Sequence, residues 1–142
     1  MLRGSFEHTV DDKGRVILPQ KFRQQLGERF MITKGPGRCL IVMTEEQFQV
    51  NFDDKFQSQS ILDTDEDTLV LQRFYCGEAA EAGTDSQGRM QIPGSLRTWA
   101  EIAPQSPVTV LGLTNRLEIW SKARWDTFNG SLSDRDLVRK KT

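Results

Sequence analysis

Two arginines occupy the same place in two similar stretches of this 142-residue chain, DDKGRVILP beginning at Asp11 and DSQGRMQIP beginning at Asp85. Each stretch opens with the pattern D-x-x-G-R, which ends on Arg15 in the first and on Arg89 in the second. The planar guanidinium group can bind a phosphate, or the O6 and N7 atoms of guanine, through two parallel hydrogen bonds. Arg15 and Arg89 are therefore candidate DNA contacts.

The remaining residues of the pattern are suited to building a tight turn. An aspartate side chain can accept hydrogen bonds from the backbone about two residues further on, which we predict for Asp11 and Asp85. Gly14 and Gly88 can adopt a positive φ at little cost. A purely structural alternative is that Arg15 pairs with Asp11 on the surface. Such a pair contributes about 0–1 kcal/mol, which is a weak reason for the same arginine at both sites.

More basic residues surround the first pattern than the second. Lys13 lies inside the first turn, whereas the equivalent residue of the second turn is Gln87. Two basic residues follow the first pattern, but only Arg97 follows the second. We expect the first site to present the larger basic surface. The predicted DNA-binding residues are Arg15, Arg89, Lys13, Lys21 and Arg23.

The charge of the chain is unevenly distributed, although its formal net charge is only −1. Residues 1–38 hold eight Lys/Arg and four Asp/Glu, residues 39–84 hold two and ten, and residues 85–142 hold nine and six. A nearly neutral chain has no general attraction to nucleic acid or to an acidic membrane. The two basic segments are nevertheless the ones that contain the D-x-x-G-R patterns.

The sequence offers little to support catalysis. It has one histidine, His8, and no phosphate-binding loop or G-x-S-x-G nucleophile motif. Cys39 and Cys76 have no Cys or His neighbours at metal-binding spacing, so we expect no metal site and no cofactor. We predict that the protein is not an enzyme and has no small-molecule substrate. The N-terminus has no apolar core of signal-peptide length and no apolar run is long enough to span a membrane, so we expect a cytoplasmic location.

The similarity between the two stretches extends over roughly forty residues and predicts a repeated structural unit. Each unit reads as a strand, the turn, a second strand, a short helix and a hairpin. In the second strand, a period of two places Val16 and Leu18 on one face and Arg15 on the other. Phe22 and Leu26 share the buried face of the short helix. Because one such unit cannot bury much core alone, we predict that two units cover each other in one pseudo-symmetric β-barrel.

Between and after the units, the sequence predicts helices. Thr44 begins a capping-box pattern for a helix to about residue 56, and a second helix, rich in acids at its start, runs to about residue 75. We expect the acidic charge here to form a solvated face. The predicted organisation is a first repeat over 1–50, a helical connection over 51–76, a second repeat over 77–125, and a helix end with a flexible tail over 126–142.

Three segments resemble the MraZ family, within the SpoVT-AbrB superfamily of DNA-binding β-barrels. They are MLRGSFEHTVDDKGRVILPQKFR at the start, DSQGRMQIPGSLR in the second half, and VLGLTNRLEIWSKARW, and the resemblance covers roughly residues 1–128. It implies an α+β fold in which the two repeats form a swapped-hairpin, AbrB-like barrel within one chain, with peripheral helices.

The same resemblance implies a function. Proteins of this family are sequence-specific, nucleoid-associated transcriptional regulators that form a ring-shaped homo-oligomer. They bind short repeated boxes in double-stranded promoter DNA upstream of their own division and cell-wall operon, which they typically repress. The arginine of each D-x-x-x-R pattern is the implied DNA contact, and it corresponds to Arg15 and Arg89 here. The alternative left open is an oligomeric scaffold or partner-binding barrel without DNA, for which Trp99, Trp120 and Trp125 could supply an interface.

Overall fold

A computed structural model describes residues 1–57 and 60–141 of the chain. The predicted α+β class is confirmed, because eight strands of this part of the chain form two antiparallel sheets and helices pack against them. Among the described residues, no helix is both long and apolar enough to cross a membrane. The strands are β1 (Leu2–Thr9), β2 (Arg15–Ile17), β3 (Phe30–Gly35), β4 (Cys39–Thr44), β5 (Ala80–Ala82), β6 (Arg89–Gln91), β7 (Pro107–Thr114) and β8 (Leu117–Ser121).

The larger sheet joins the two halves of the chain in the order β1-β7-β8-β4-β3-β5. The predicted hairpins β3–β4 and β7–β8 are confirmed, and they meet at the centre, where Leu40 lies opposite Ile119. Each hairpin is extended by a strand from the other half of the chain: β1 pairs with β7, and β5 pairs with β3. Neither half therefore forms its part of the sheet from its own strands alone.

The smaller sheet is a two-stranded ribbon made of β2 and β6, one strand from each half. Arg15 lies opposite Gln91, Val16 opposite Met90, and Ile17 opposite Arg89. In the larger sheet β1 and β5 are edge strands and do not pair with each other, so the strand pairings do not close a barrel. Instead β1 and β5 lead through the D-x-x-G-R turns into the ribbon, and an isolated bridge joins Thr84, two residues after β5, to Met90 of the ribbon.

The main core lies between the ribbon and one face of the larger sheet. Val16 and Leu18 are fully buried, as the alternation in β2 predicts, and so are their equivalents Met90 and Ile92. Phe22 and Leu26 face the same core from the first short helix, which confirms that prediction too. Other core residues come from the central hairpins, including Ile32, Leu40, Val42, Leu117 and Ile119.

Helices cover the opposite face of the larger sheet. In β4, Ile41 and Met43 point away from the main core and pack with Phe48, Phe52 and residues near the end of the second helix of the connection. Three layers follow in order: helices, sheet, and ribbon, with the main core between the last two. The acidic helices and the basic ribbon consequently lie on opposite sides of the sheet.

The first helix of the connection begins after its predicted cap, Thr44, and the second begins after Asp65, within the predicted acidic start. The Thr44 hydroxyl accepts a hydrogen bond from Gln47 N at 3.1 Å, and the Asp65 carboxylate accepts one from Thr68 N at 2.7 Å. The first helical stretch is interrupted by a π-helical segment, Gln49–Asp53, which the sequence analysis did not predict. Residues 58 and 59 of the predicted connection lie outside the described residues. The helices are α1 (Gln20–Leu26), α2 (Glu45–Phe48), α3 (Asp54–Gln57), α4 (Glu66–Cys76), α5 (Gly94–Trp99), α6 (Lys122–Ser131) and α7 (Asp134–Lys141).

The C-terminal segment, for which the sequence predicts a helix end and a flexible tail, contains the further helix α7. Two residues separate α6 from α7. Helix α7 begins after Ser133, because the Ser133 side chain caps its first turn. Ser133 Oγ accepts a hydrogen bond from Asp136 N at 3.3 Å and lies 3.0 Å from Asp136 Oδ2. Both contacts join the Ser133 hydroxyl to Asp136, so Ser133 serves as the N-cap of α7. Thr142, the last residue of the predicted tail, lies outside the described residues.

Candidate nucleic-acid interface

The first D-x-x-G-R stretch forms a closed turn around the carboxylate of Asp11. Asp11 Oδ1 accepts hydrogen bonds from Lys13 N at 3.0 Å and Arg15 N at 2.8 Å, and Oδ2 accepts one from Arg15 Nε at 2.7 Å. Backbone bonds from Asp11 N to Arg15 O and from Gly14 N to Asp11 O complete the turn. The aspartate thus holds both the backbone of the turn and the side chain of its arginine.

The second stretch repeats this geometry nearly atom for atom. Asp85 Oδ1 accepts from Gln87 N and Arg89 N, both at 2.9 Å, and Oδ2 accepts from Arg89 Nε at 2.8 Å. Gly88 has a φ of 77°, close to the 79° of Gly14. The two turns therefore present their arginines in the same way.

Each arginine keeps one edge of its guanidinium group for other contacts. The bonds to Asp11 and Asp85 use Nε, and no hydrogen bond from Nη1 or Nη2 joins Arg15 or Arg89 to another of the described residues. About a quarter of each side chain is exposed. A held guanidinium loses less conformational entropy on binding than a free one. The outer edge can accordingly make a two-point contact with guanine or phosphate.

The two-stranded ribbon places both arginines on one surface. Val16 and Met90 face the core, so the alternation in β2 and β6 directs their neighbours outward. We call the outward side the ribbon face, and it consists of Arg15, Ile17, Arg89 and Gln91. A two-stranded β-ribbon is narrow enough to enter the major groove of B-DNA, which is about 12 Å wide.

Two further arginines hold the turns by crossing between the halves. Arg97 Nε donates to Ile92 O at 3.1 Å, and its guanidinium group lies over Gly14. Arg23 Nε donates to Leu18 O at 3.0 Å and lies over Gly88. Each helix arginine thus covers the turn glycine of the other half.

Arg23 is one of the predicted DNA contacts, and its contact with the second turn was not predicted. Arg23 and Arg97 do occupy equivalent positions in the two units, and that repetition is a signal that both do the same task. What no local pattern indicates is the partner of each. The glycine under Arg97 is 83 residues away in the chain, and it becomes a neighbour only through the pairing of β2 with β6.

The other two predicted basic residues lie in different surroundings. Lys13 is exposed beside Gly14 in the first turn. Lys21, on α1, is exposed and has its Nζ 4.6 Å from the centre of the Phe6 ring and 5.3 Å from that of Phe22. Lys13 therefore belongs to the turn itself, whereas Lys21 belongs to the surface where α1 meets β1.

The two turns differ in one supporting contact. Gln91 Nε2 donates to Lys13 O at 2.8 Å, so a side chain of the second half braces the first turn. The residue equivalent to Gln91 in the first half is Ile17, whose side chain has no hydrogen-bond donor for the second turn. The first turn is consequently the more firmly held of the two.

The carboxylates of the turns have lowered pKa values. For Asp11, the hydrogen bond from the Arg15 backbone is the main cause of the lowered pKa. Burial opposes it as the second-largest effect, and the Arg15 side chain and the Lys13 backbone add to the lowering. Asp85 has a lowered pKa for the same reasons, with Arg89 and Gln87 in those places. Both groups are stabilised in the charged form, which is the form that binds the arginines.

We expect these two carboxylates to contribute to acid unfolding. Since their pKa values are lower in the folded protein, their contribution to the free energy of unfolding is complete above the unfolded value of about 3.9 and is lost as the pH falls through the folded values. The double variant Asp11→Asn/Asp85→Asn should be less stable than the wild type at pH 7 and should lose less stability between pH 5 and pH 2. Urea denaturation at a series of pH values measures both effects.

Asp12→Asn is the matched control, because Asp12 lies in the same turn and its side chain makes no hydrogen bond with the described residues. This variant should follow the wild-type pH dependence. The explanation is wrong if Asp11→Asn/Asp85→Asn and the wild type lose stability in parallel as the solution is acidified.

Metal binding receives no support from the described residues, in which no group of three or more His, Cys, Asp or Glu side chains could hold an ion.

Comparison with known proteins identifies close relatives. The family model described as "MraZ protein, putative antitoxin-like" matches residues 1–72 and again residues 76–142. A relative from Caldanaerobacter subterraneus subsp. tengcongensis is 41% identical over 131 residues, which are 92% of this chain and 88% of the relative. One from Ligilactobacillus salivarius is 42% identical over 128 residues, 90% and 86% of the two chains. One from Acetivibrio thermocellus is 40% identical over 130 residues, 92% and 87% of the two chains. Each of the three is named "Transcriptional regulator MraZ".

Proposed function

The chain belongs to the MraZ family, and on that premise we propose that it is a sequence-specific DNA-binding transcriptional regulator that reads DNA with the ribbon face. Its relatives are named as regulators of transcription, and the chain is not an enzyme. The observation that carries the proposal is the presentation of Arg15 and Arg89 on one ribbon, each held through Nε by its own aspartate with Nη1 and Nη2 uncommitted.

The charge distribution supports binding through this face rather than another. Lys13 adds a positive charge beside Arg15 at one end of the ribbon. The acidic helices α2, α3 and α4 cover the far side of the sheet, with Asp54, Glu66 and Asp67 exposed there. A near-neutral chain can approach a polyanion when its acidic residues are turned away and its basic ones face the groove.

One ribbon offers few base contacts, so a single chain should bind weakly. We propose that the protein acts as a ring-shaped homo-oligomer whose subunits meet successive boxes in the promoter of its own division and cell-wall operon, and that it represses that operon. Once one subunit is bound, the others bind at high effective concentration, which can raise the overall affinity by about 10²–10⁴. This mode of action would place the protein in the cytoplasm, at the nucleoid.

The swapped-hairpin arrangement and the four-part organisation remain parts of the proposal. The exchange of β1 and β5 between the hairpins of the two halves supports a swapped arrangement. So does the ribbon, which takes one strand from each half. On this view residues 1–50 and 77–125 act together as one DNA-binding body, with residues 51–76 and 126–142 outside it.

Titration of the DNA upstream of the gene with the full chain tests this function. We expect tight binding whose affinity constant falls with salt concentration, with a logarithmic slope of about −0.9 for each phosphate neutralised. Size-exclusion chromatography of the same sample should give a mass several times 16.2 kDa. DNA of equal length and scrambled sequence serves as the control. Equal affinity for the scrambled DNA would refute sequence-specific recognition. No binding to either DNA, or binding without dependence on salt, would favour the scaffold without DNA binding.

A further inference from the structure

We propose that Ile17 is a specificity-determining residue that contacts the 5-methyl group of a thymine beside the bases reached by Arg15 and Arg89. The inference rests on the proposed function, since it names the base that one residue of the ribbon face recognises. Apolar contact with the thymine methyl group is one of the ways in which proteins distinguish base pairs in the major groove.

The exposure of Ile17 is the first observation. Its side chain is 47% exposed, while the other two apolar residues of the ribbon, Val16 and Met90, are completely buried. A single exposed apolar residue is common on protein surfaces and has no meaning by itself. The position of Ile17 on the ribbon face, among residues that are otherwise polar, is what distinguishes it.

The strand register is the second observation. Ile17 lies directly opposite Arg89 and two residues along β2 from Arg15. Hydrogen bonds from Leu18 N to Gly88 O and from Ile92 N to Gly14 O make Ile17 and Arg89 a non-hydrogen-bonded pair, with Cα atoms about 4.5 Å apart. Arg15 is about 7 Å away along the strand. Both distances are within about two base-pair steps, so a ribbon that places the arginines against guanines places Ile17 against a neighbouring base pair.

The equivalent residue of the other half is the third observation. Gln91 occupies the matching place on β6 but is committed to the first turn through its bond to Lys13 O. Ile17 makes no such contact and leaves its methyl groups open to solvent. The two ends of the ribbon therefore differ, and only the end with Ile17 offers an apolar surface to the groove. A box read by this ribbon should have a thymine on one side and no matching requirement on the other.

Removal of the methyl group from the DNA tests the assignment without changing the protein. In the upstream DNA, each thymine of a box is replaced in turn by deoxyuridine, which keeps the base pairing and lacks only the methyl group. Burial of one such group is worth about a fourfold change in affinity. We expect one position per box at which this replacement lowers the affinity of the wild type about fourfold. At that position, Ile17→Ala should bind the thymine and uracil versions of the box equally.

Ile61→Ala is the matched control, because Ile61 is also an exposed isoleucine, at 75%, but lies outside the ribbon. It should keep the wild-type preference for thymine. If no uracil substitution weakens the wild type, or if Ile17→Ala keeps the same preference, the assignment of Ile17 is overturned while DNA binding itself stands. If the wild type does not bind the upstream DNA at all, the proposed function fails together with this inference.

Discussion

The double variant Arg15→Ala/Arg89→Ala should bind the upstream DNA at least about 30-fold more weakly than the wild type. Each arginine that contacts a base contributes about 1–3 kcal/mol, so the loss of both removes about 2–6 kcal/mol per bound subunit. The fold should survive, since an exposed Asp–Arg pair contributes only about 0–1 kcal/mol. Fluorescence anisotropy measures the affinity, and circular dichroism with size-exclusion chromatography checks the fold and the assembly.

A charge-matched control separates local contacts from general attraction. The double variant Arg29→Ala/Arg124→Ala also removes two positive charges, but these arginines lie outside the ribbon and pair with Glu81 and Glu101. This control should retain most of the affinity. Arg15→Lys/Arg89→Lys keeps the charge but lacks the planar fork, so it should bind DNA with little preference for sequence. An unchanged affinity of Arg15→Ala/Arg89→Ala would refute binding through the ribbon face.

The single variants rank the two sites. The first turn has Lys13 beside its arginine and is braced by Gln91, whereas the second turn has Gln87 and faces Ile17. Arg15→Ala should therefore weaken binding more than Arg89→Ala. Equal losses would mean that the extra charge and the extra hydrogen bond make no difference to the contact.

The second large effect is expected for stability, from Gly14→Ala. A Cβ at this position would lie 2.5 Å from Arg97 Cζ, and the φ of 79° is unfavourable for any side chain. The strain costs about 1–2 kcal/mol. Displacement of Arg97 would also break its bond to Ile92 O, for about 1 kcal/mol more. Urea denaturation should show a total loss of about 2–3 kcal/mol, the sum of these two effects.

A crossed set of variants identifies the origin of the loss. In an Arg97→Ala background, Gly14→Ala should cost only the backbone strain, whereas Arg23→Ala should leave its cost unchanged. For Gly88→Ala the backgrounds change places, since its Cβ would lie 2.8 Å from Arg23 Cζ. Its cost should fall in the Arg23→Ala background and stay unchanged in the Arg97→Ala background. The cross-covering of the turns is disproved if the cost of Gly14→Ala is the same in both backgrounds.

Local features of the fold could be predicted from the sequence because they depend on residues close together in the chain. The burial of Val16 and Leu18 follows from the period of a strand, and that of Phe22 and Leu26 from the period of a helix. The helix start after Thr44 follows from a hydrogen bond between residues only three apart, from Gln47 N to the Thr44 hydroxyl. The helix over 134–141 also has a local cause, its Ser133 cap, but the polar composition of this segment concealed it.

The candidate site divides in the same way. The sequence by itself determined the two turns, because an aspartate, a glycine and an arginine within five residues contain the donors, acceptors and backbone freedom that the turn requires. Only the tertiary structure decided what surrounds them: Arg97 over Gly14, Gln91 bonded to Lys13, and Ile17 opposite Arg89. These neighbours are more than seventy residues apart, and they meet because β2 and β6 pair in one antiparallel register. That register depends on how two halves bury a shared core, which no pattern within either half specifies.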